Sequence, residues 1–305
     1  MAGLIGVRRI AMVVILSTMV SAIIAAEGDS GRADPTAQEQ YFLYLINRAR
    51  ANPLAEARRL GINLNEGLSP GTISDAPRQP LVFHPKLTQA ARRHTQWMLT
   101  QNTLSHEGAG DSTPEQRMRS AGYTFTPPCG SGENLGFVGQ TGDYAPAAEA
   151  IDDLYRGLFL DADVADRGHR VNLLRAEFRE TGVGVQKGTF RSQGTDFNSW
   201  LVTQDFAYNL GNPCLTGVVY SDIVKADGFY TPGEGLGGVT ITAQVTGGSA
   251  KFSAATGASG GYVLQLPPGA YRVMAAGGGL PKMMDGGTVA IGKDNVGVDF
   301  RLGGP

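Results

Sequence analysis

Cysteine is scarce in this chain, with two residues among 305, Cys129 and Cys214, which rules out a scaffold stapled by many disulfides and a cysteine-rich zinc module. Histidine is nearly as rare at four, so any imidazole site must draw on His84, His94, His106 or His169. An excess of one charge is also missing: 26 Lys and Arg face 28 Asp and Glu, a formal charge of -2, which argues against nucleic acid as a partner. The sequence has no H-E-x-x-H helix and no G-x-S-x-G elbow, so the standard zinc-protease and serine-hydrolase signatures are absent. Beyond the first 26 residues there is no long apolar run.

That opening run, IAMVVILSTMVSAIIAA, follows Arg8 and Arg9 and ends in small residues before Glu27. It has the layout of a secretory signal peptide over 1–26, cleaved after Ala25 or Ala26. Its length also reaches the lower limit of a membrane span, so an uncleaved anchor is the alternative. In both cases the folded part is expected outside the cytoplasm, in the periplasm, on the cell surface or secreted. Without the segment, 24 basic residues face 28 acidic ones, a formal charge of -4. Residues 27–35, EGDSGRADP, read as a flexible leader. In an oxidising compartment Cys129 and Cys214, each beside proline or glycine, are expected to pair; two free buried thiols are the alternative.

After Pro35 the pattern changes. Phe42, Leu45, Ile46 and Ala49 recur at helical spacing up to a stop at Pro53, and a second helix begins near Pro85 with Leu87, Ala90, Ala91, His94 and Met98 on one face. Ala148, Ile151, Leu154 and Leu158 mark a third. TGVGVQ and NSWLVTQDFAY read as buried strands, and the mixture predicts a layered α/β unit over 36–212. SGENLGF, residues 131–137, reads as a turn, too glycine-rich for a good strand. From about Leu215 the helical pattern ends, and seven short β-rich runs between Gly, Pro and Asp turns predict an all-β sandwich over 215–302. The fold class is α+β.

Among the histidines, His84 precedes a proline and is expected to cap or pack at the helix start, while His94 on an apolar face is expected to be a core residue. His106 in TLSHEG and His169 in RGHRVNLL stand at element edges, where a side chain can be aimed into a cleft. The ordered set PLVFHPKLTQAARRHTQWMLTQNTLSH, GENLGF, RGHRVNLL, FRETGVGV and WLVTQDFAY resembles the CAP superfamily, also called the SCP or pathogenesis-related-1 family, in its bacterial form. The resemblance implies an α/β/α sandwich with a cleft in which His106, Glu133 and His169 converge. It also implies a fourth, acidic member. Glu180 in FRETGVGV is the first candidate for that place, with Asp161 and Asp163 as alternatives, because the eukaryotic Trp and Glu before the GH motif are missing here. The prevalence of arginine over lysine and the style of the motifs point to a bacterium.

Two imidazoles facing a carboxylate could hold zinc or another divalent ion through His106 and His169, since zinc accepts N and O ligands. Without a metal the same groups form an acid and base pair. Neither arrangement includes a nucleophile, because Ser105 and His106 as chain neighbours point to opposite faces of an extended segment. A binding or effector module is therefore the leading expectation, with a ligand that is a lipid, a cell-surface polymer or a protein. A hydrolase using metal- or His-activated water and a secreted lipid or sterol binder are the alternatives, and a purely architectural His and Glu staple is the third. The C-terminal runs GVVYSDIVKADGFYTPGEGLGGVTITAQ and GASGGYVLQLPPGAYRV resemble prealbumin-like repeats of the SdrD B or carboxypeptidase-regulatory type. By that resemblance Asp222, Asp227 and Glu234 are candidate calcium ligands, a plain solvent-facing turn being the alternative.

Overall fold

Pro53, Pro85 and Pro114 each open a helix in the computed structural model, which describes residues 34–142 and 146–303. The signal segment and nearly all of the leader lie outside the described residues. In chain order the first half contains α1 (Ala37–Ala51), α2 (Pro53–Arg59), β1 (Val82–Phe83), α3 (Pro85–Gln101), α4 (Pro114–Ser120), β2 (Gly130–Gln140), α5 (Ala147–Leu160), α6 (Gly168–Leu173), β3 (Glu180–Ser192) and β4 (Thr195–Tyr208). A Thr36 and Glu39 capping box starts α1, and His84 caps α3 by accepting from the Lys86 amide through its ring. At the far end of α3, Asn102 takes the left-handed conformation with φ of 52°.

The strands form one sheet in the order β1-β3-β4-β2, antiparallel apart from the β1–β3 pair. Side-chain alternation along the strands sends Val183, Val202 and Phe206 to a core shared with α1, α5 and α6. The opposite face carries Leu135, Leu201 and Ala207 toward α3 and α4. This is an α/β/α sandwich. Helix α3 lies so close to β3 that a Cβ on Gly182 would stand 2.0 Å from the Leu87 carbonyl carbon, and one on Gly184 would stand 2.4 Å from the Arg92 nitrogen.

SGENLGF is not a turn: it lies inside β2, paired residue for residue with β4 from Gly130↔Tyr208 to Gln140↔Asn198. Its glycines make room for neighbours, since a Cβ on Gly132 would meet the Phe178 ring at 2.9 Å.

The second half contains β5 (Cys214–Ser221), β6 (Val239–Val245), β7 (Lys251–Ala255), β8 (Gly261–Gln265), β9 (Gly269–Gly277), β10 (Met284–Ile291), β11 (Val296–Gly297) and β12 (Phe300–Leu302). One sheet runs β10-β9-β6-β7; in the other, β5 pairs with β8 on one edge and with β11 and β12 on the other. Leu215, Val219, Ile241, Tyr271, Val273 and Phe300 fill the space between them. The two halves share a seam, in which Tyr41 and Tyr44 of α1 meet Tyr220, Phe229 and Tyr230 at ring distances of 4.6 to 6.3 Å.

The expected disulfide is not formed; both cysteines are free and half-buried. Cys129 packs against the α3–α4 cluster around Leu87 and Met118, whereas Cys214 opens β5 opposite Gln265 and lines a cavity with His84 and Glu180. The two thiols are held by different elements.

Candidate functional site

Strand β2 sets Glu133 directly opposite Asp205 of β4, on the sheet face that carries α3 and α4. The loop after α3 brings His106 to the same place, and α4, started by a Thr113 and Gln116 capping box, brings Arg117. His106 Nδ1 lies 2.7 Å from Glu133 Oε1, and Arg117 Nη2 donates to Glu133 Oε2 at 2.5 Å. Arg117 Nη1 also donates to the carbonyls of His106 (2.9 Å) and Ser112 (2.6 Å), tying the loop to the helix. The Glu133 side chain is 1% exposed and that of His106 is 55% exposed, so a buried carboxylate aims an imidazole outward.

Asp205 is the member that the sequence reading missed. It is 1% exposed, its carboxyl is hydrogen-bonded to that of Glu133, and burial first, then the Glu133 charge, push it well above the usual carboxylate range, with Arg117 opposing. The signal was an acid in the middle of an apolar strand, in WLVTQDFAY, where a charged residue is rarely buried without a partner.

His169 belongs to a second pair. Its Nδ1 is 2.7 Å from Asp161 Oδ1, and its backbone N–H donates to Asp161 Oδ2 at 2.9 Å. Asp161 sits at the end of α5 with φ of 51°, its side chain 2% exposed. Strand alternation sends Glu133 toward α4 and its neighbour Asn134 toward α6, where Asn134 donates to the His169 carbonyl at 3.2 Å. Asn172 of α6 bonds Asn134 Oδ1 at 3.0 Å and the Glu133 carbonyl at 3.3 Å. The site therefore carries two imidazole–carboxylate pairs, His106 with Glu133 and His169 with Asp161, each held through Nδ1.

Of the remaining candidates, Asp163 is exposed, and Glu180 accepts from the Tyr123 hydroxyl and lines a cavity with His84, away from His106. His84 packs edge-on against Tyr123, and burial lowers its pKa below the ordinary imidazole value. His94 is buried, its Nε2 2.9 Å from the Ser105 carbonyl, and burial lowers its pKa too.

Each of the two histidines expected to hold zinc has its Nδ1 engaged by its own carboxylate. His106 and His169 sit in separate pairs, and among the described residues no three His, Cys, Asp or Glu side chains come together as a ligand set. The same holds for calcium. Glu234 accepts the amides of Val224, Lys225 and Thr231, and Asp222 accepts those of Asp227 and Gly228, so these acids brace a turn; Asp227 caps the Phe229 amide.

The profile of the cysteine-rich secretory protein family, CAP, matches residues 43–206, more than half of the chain. Among solved structures, an extracellular protein containing an SCP domain from Bacillus anthracis str. Ames is 21% identical with a TM-score of 0.30, over 43% of this chain and 35% of that one. The Bacillus anthracis TIE protein is 13% identical with a TM-score of 0.20, over 40% of this chain and 24% of that one. The chain thus spans about a third or less of the length of either protein. No curated protein matches it. Among the described residues no helix is long and apolar enough to cross a membrane.

Proposed function

Since the chain belongs to the cysteine-rich secretory protein family, we propose that it is an exported bacterial binding module that takes its ligand at the His106–Glu133 pair. One observation carries this reading: a buried carboxylate, fixed by Arg117 on one oxygen, holds an exposed imidazole by Nδ1 and leaves Nε2 toward solvent. Such an imidazole is a hydrogen-bonding handle with a fixed direction. No serine, threonine or cysteine side chain bonds His106 among the described residues, so the pair has no nucleophile to activate. The ligand is a lipid, a cell-surface polymer or a protein.

A hydrolase is the second reading, favoured by the same geometry. A carboxylate on Nδ1 is the orienting partner of a general base, and Nε2 of His106 could take a proton from water.

The two readings part in one experiment. A panel of lipids, glycans and peptides is screened by the shift in melting temperature of the wild type and of His106→Ala, alongside turnover of nitrophenyl esters and labelled peptides. The module reading expects saturable shifts in the wild type, at least about tenfold weaker in His106→Ala, and no product. Turnover that His106→Ala abolishes would replace it with the hydrolase.

A further inference from the structure

Beside the His106 pair, α3 and α4 enclose a cleft of about 390 Å³, within the range of small-ligand pockets. Its lining includes Ala90, Arg93, His94, Trp97, Ser112 and Arg117, and among the described residues no acid lines it. The one carboxylate bonded to a lining cation is Glu133, held on Nη2 of Arg117.

The lining chemistry limits what can enter. The rings of Trp97 and His94 stack with centroids 5.5 Å apart and planes 13° from parallel, which makes a flat apolar wall. Arg93 is exposed at the rim, and its guanidinium has no hydrogen bond or ion pair among the described residues. One buried nitrogen on the lining also lacks a partner: Nε of Arg117, whose side chain is 11% exposed. A buried N–H without an acceptor carries its full desolvation penalty, and an arriving acceptor would relieve it. A cation would meet two guanidiniums, and a purely apolar ligand would leave the Arg117 N–H unpaired.

We propose that the α3–α4 cleft binds a small organic anion with a flat apolar body, its charged head on Arg93 and Arg117 and its ring against Trp97. The proposal deepens the binding-module reading and rests on it in taking this face of the sheet as the one that holds ligand. Arginine pairs well with planar anions, and its charge-assisted hydrogen bonds are about twice as strong as neutral ones.

The probe is 2-naphthoate, with 2-naphthalenemethanol as the neutral control. The full chain carries Trp200→Phe, which leaves Trp97 as its single tryptophan. The expected result is saturable quenching by naphthoate with a Kd of about 1 mM or tighter, at least about tenfold weaker for the alcohol. Arg93→Gln, an exposed substitution, should weaken naphthoate about fivefold with an unchanged denaturation midpoint. Equal affinity for acid and alcohol, an Arg93→Gln protein that binds as the parent does, or no quenching at all would each overturn the anion site. Naphthoate binding accompanied by ester turnover would overturn the module reading and leave the cleft standing. Absent naphthoate binding in a protein that still answers other ligands through His106 would do the reverse.

Discussion

A buried acid in contact with another acid makes a specific demand on pH, and Asp205 is where this protein meets it. Its carboxyl holds its proton above the usual range because burial disfavours the charged form and Glu133 repels a second negative charge. An acid whose native pKa is raised contributes its stability fully below its unfolded pKa of about 3.9, and loses it as pH rises through the native value. At neutral pH the ionisable group is therefore a liability that an amide would not be. Asp205→Asn keeps a donor for Glu133 and removes the titration, so it should stabilise the protein by about 1 kcal/mol or more at pH 8 and by nearly nothing at pH 4. Urea unfolding at the two pH values measures the difference. A constant gap, or a destabilised variant at pH 8, would show that Asp205 carries its charge in the native state.

The elements of the sandwich are set by where α3 meets β3. Gly182 and Gly184 let two backbones touch, and the atoms that an added Cβ would strike are backbone atoms of α3, which cannot swing aside. Gly182→Ala should cost about 3 kcal/mol or more, whereas Gly188→Ala, which would strike the far end of the Leu99 side chain at 2.6 Å, should cost about 1 kcal/mol. Denaturant midpoints of the two variants give the comparison; equal losses would remove the contact from the account. The same glycines explain which parts of the fold were legible in the sequence. TGVGVQ announces a buried strand through its valines, and α1, α3 and α5 announce themselves through apolar periodicity over 14 to 17 residues. α2, α4 and α6, at six or seven residues, are too short for a period of 3.6 to show. SGENLGF reads as a turn because glycine has no strand propensity, yet here glycine answers to the Phe178 ring beside it. At the site, His106 and Glu133 were legible as motif residues. That Asp161 is the acid on His169 was not, because it depends on the left-handed turn that ends α5 and brings residues 161 and 169 together.

At the scale of the molecule, the two halves do not hang together by a linker. Val218, Tyr220 and Tyr230 of the second half are buried in the same apolar cluster as Tyr41, Leu43 and Ile46 of α1. Asn295 joins the halves by polar bonds: its side chain donates to the carbonyls of Pro80 and Arg179 and accepts from the Cys214 amide, while its own amide donates to Gln79. A chain ending at residue 212 would strip this seam from α1. Each fully buried large side chain contributes about 2 kcal/mol, so losing Val218, Tyr220 and Tyr230 should lower the stability of the first half by about 5 kcal/mol or more. It should also uncover an aromatic patch that takes up an apolar dye. Asn295→Ala in the full chain, which leaves three part-buried groups without their partner, should cost about 1–3 kcal/mol and lower the unfolding midpoint of both halves together. Near-ultraviolet circular dichroism during denaturation reads the aromatic seam, and far-ultraviolet circular dichroism reads the helices, which among the described residues belong to the first half alone. Coincident curves that shift together in Asn295→Ala are the expected outcome. A truncated chain as stable as the whole, or curves that separate in the wild type, would make the second half an independent bead and leave the seam without energetic weight.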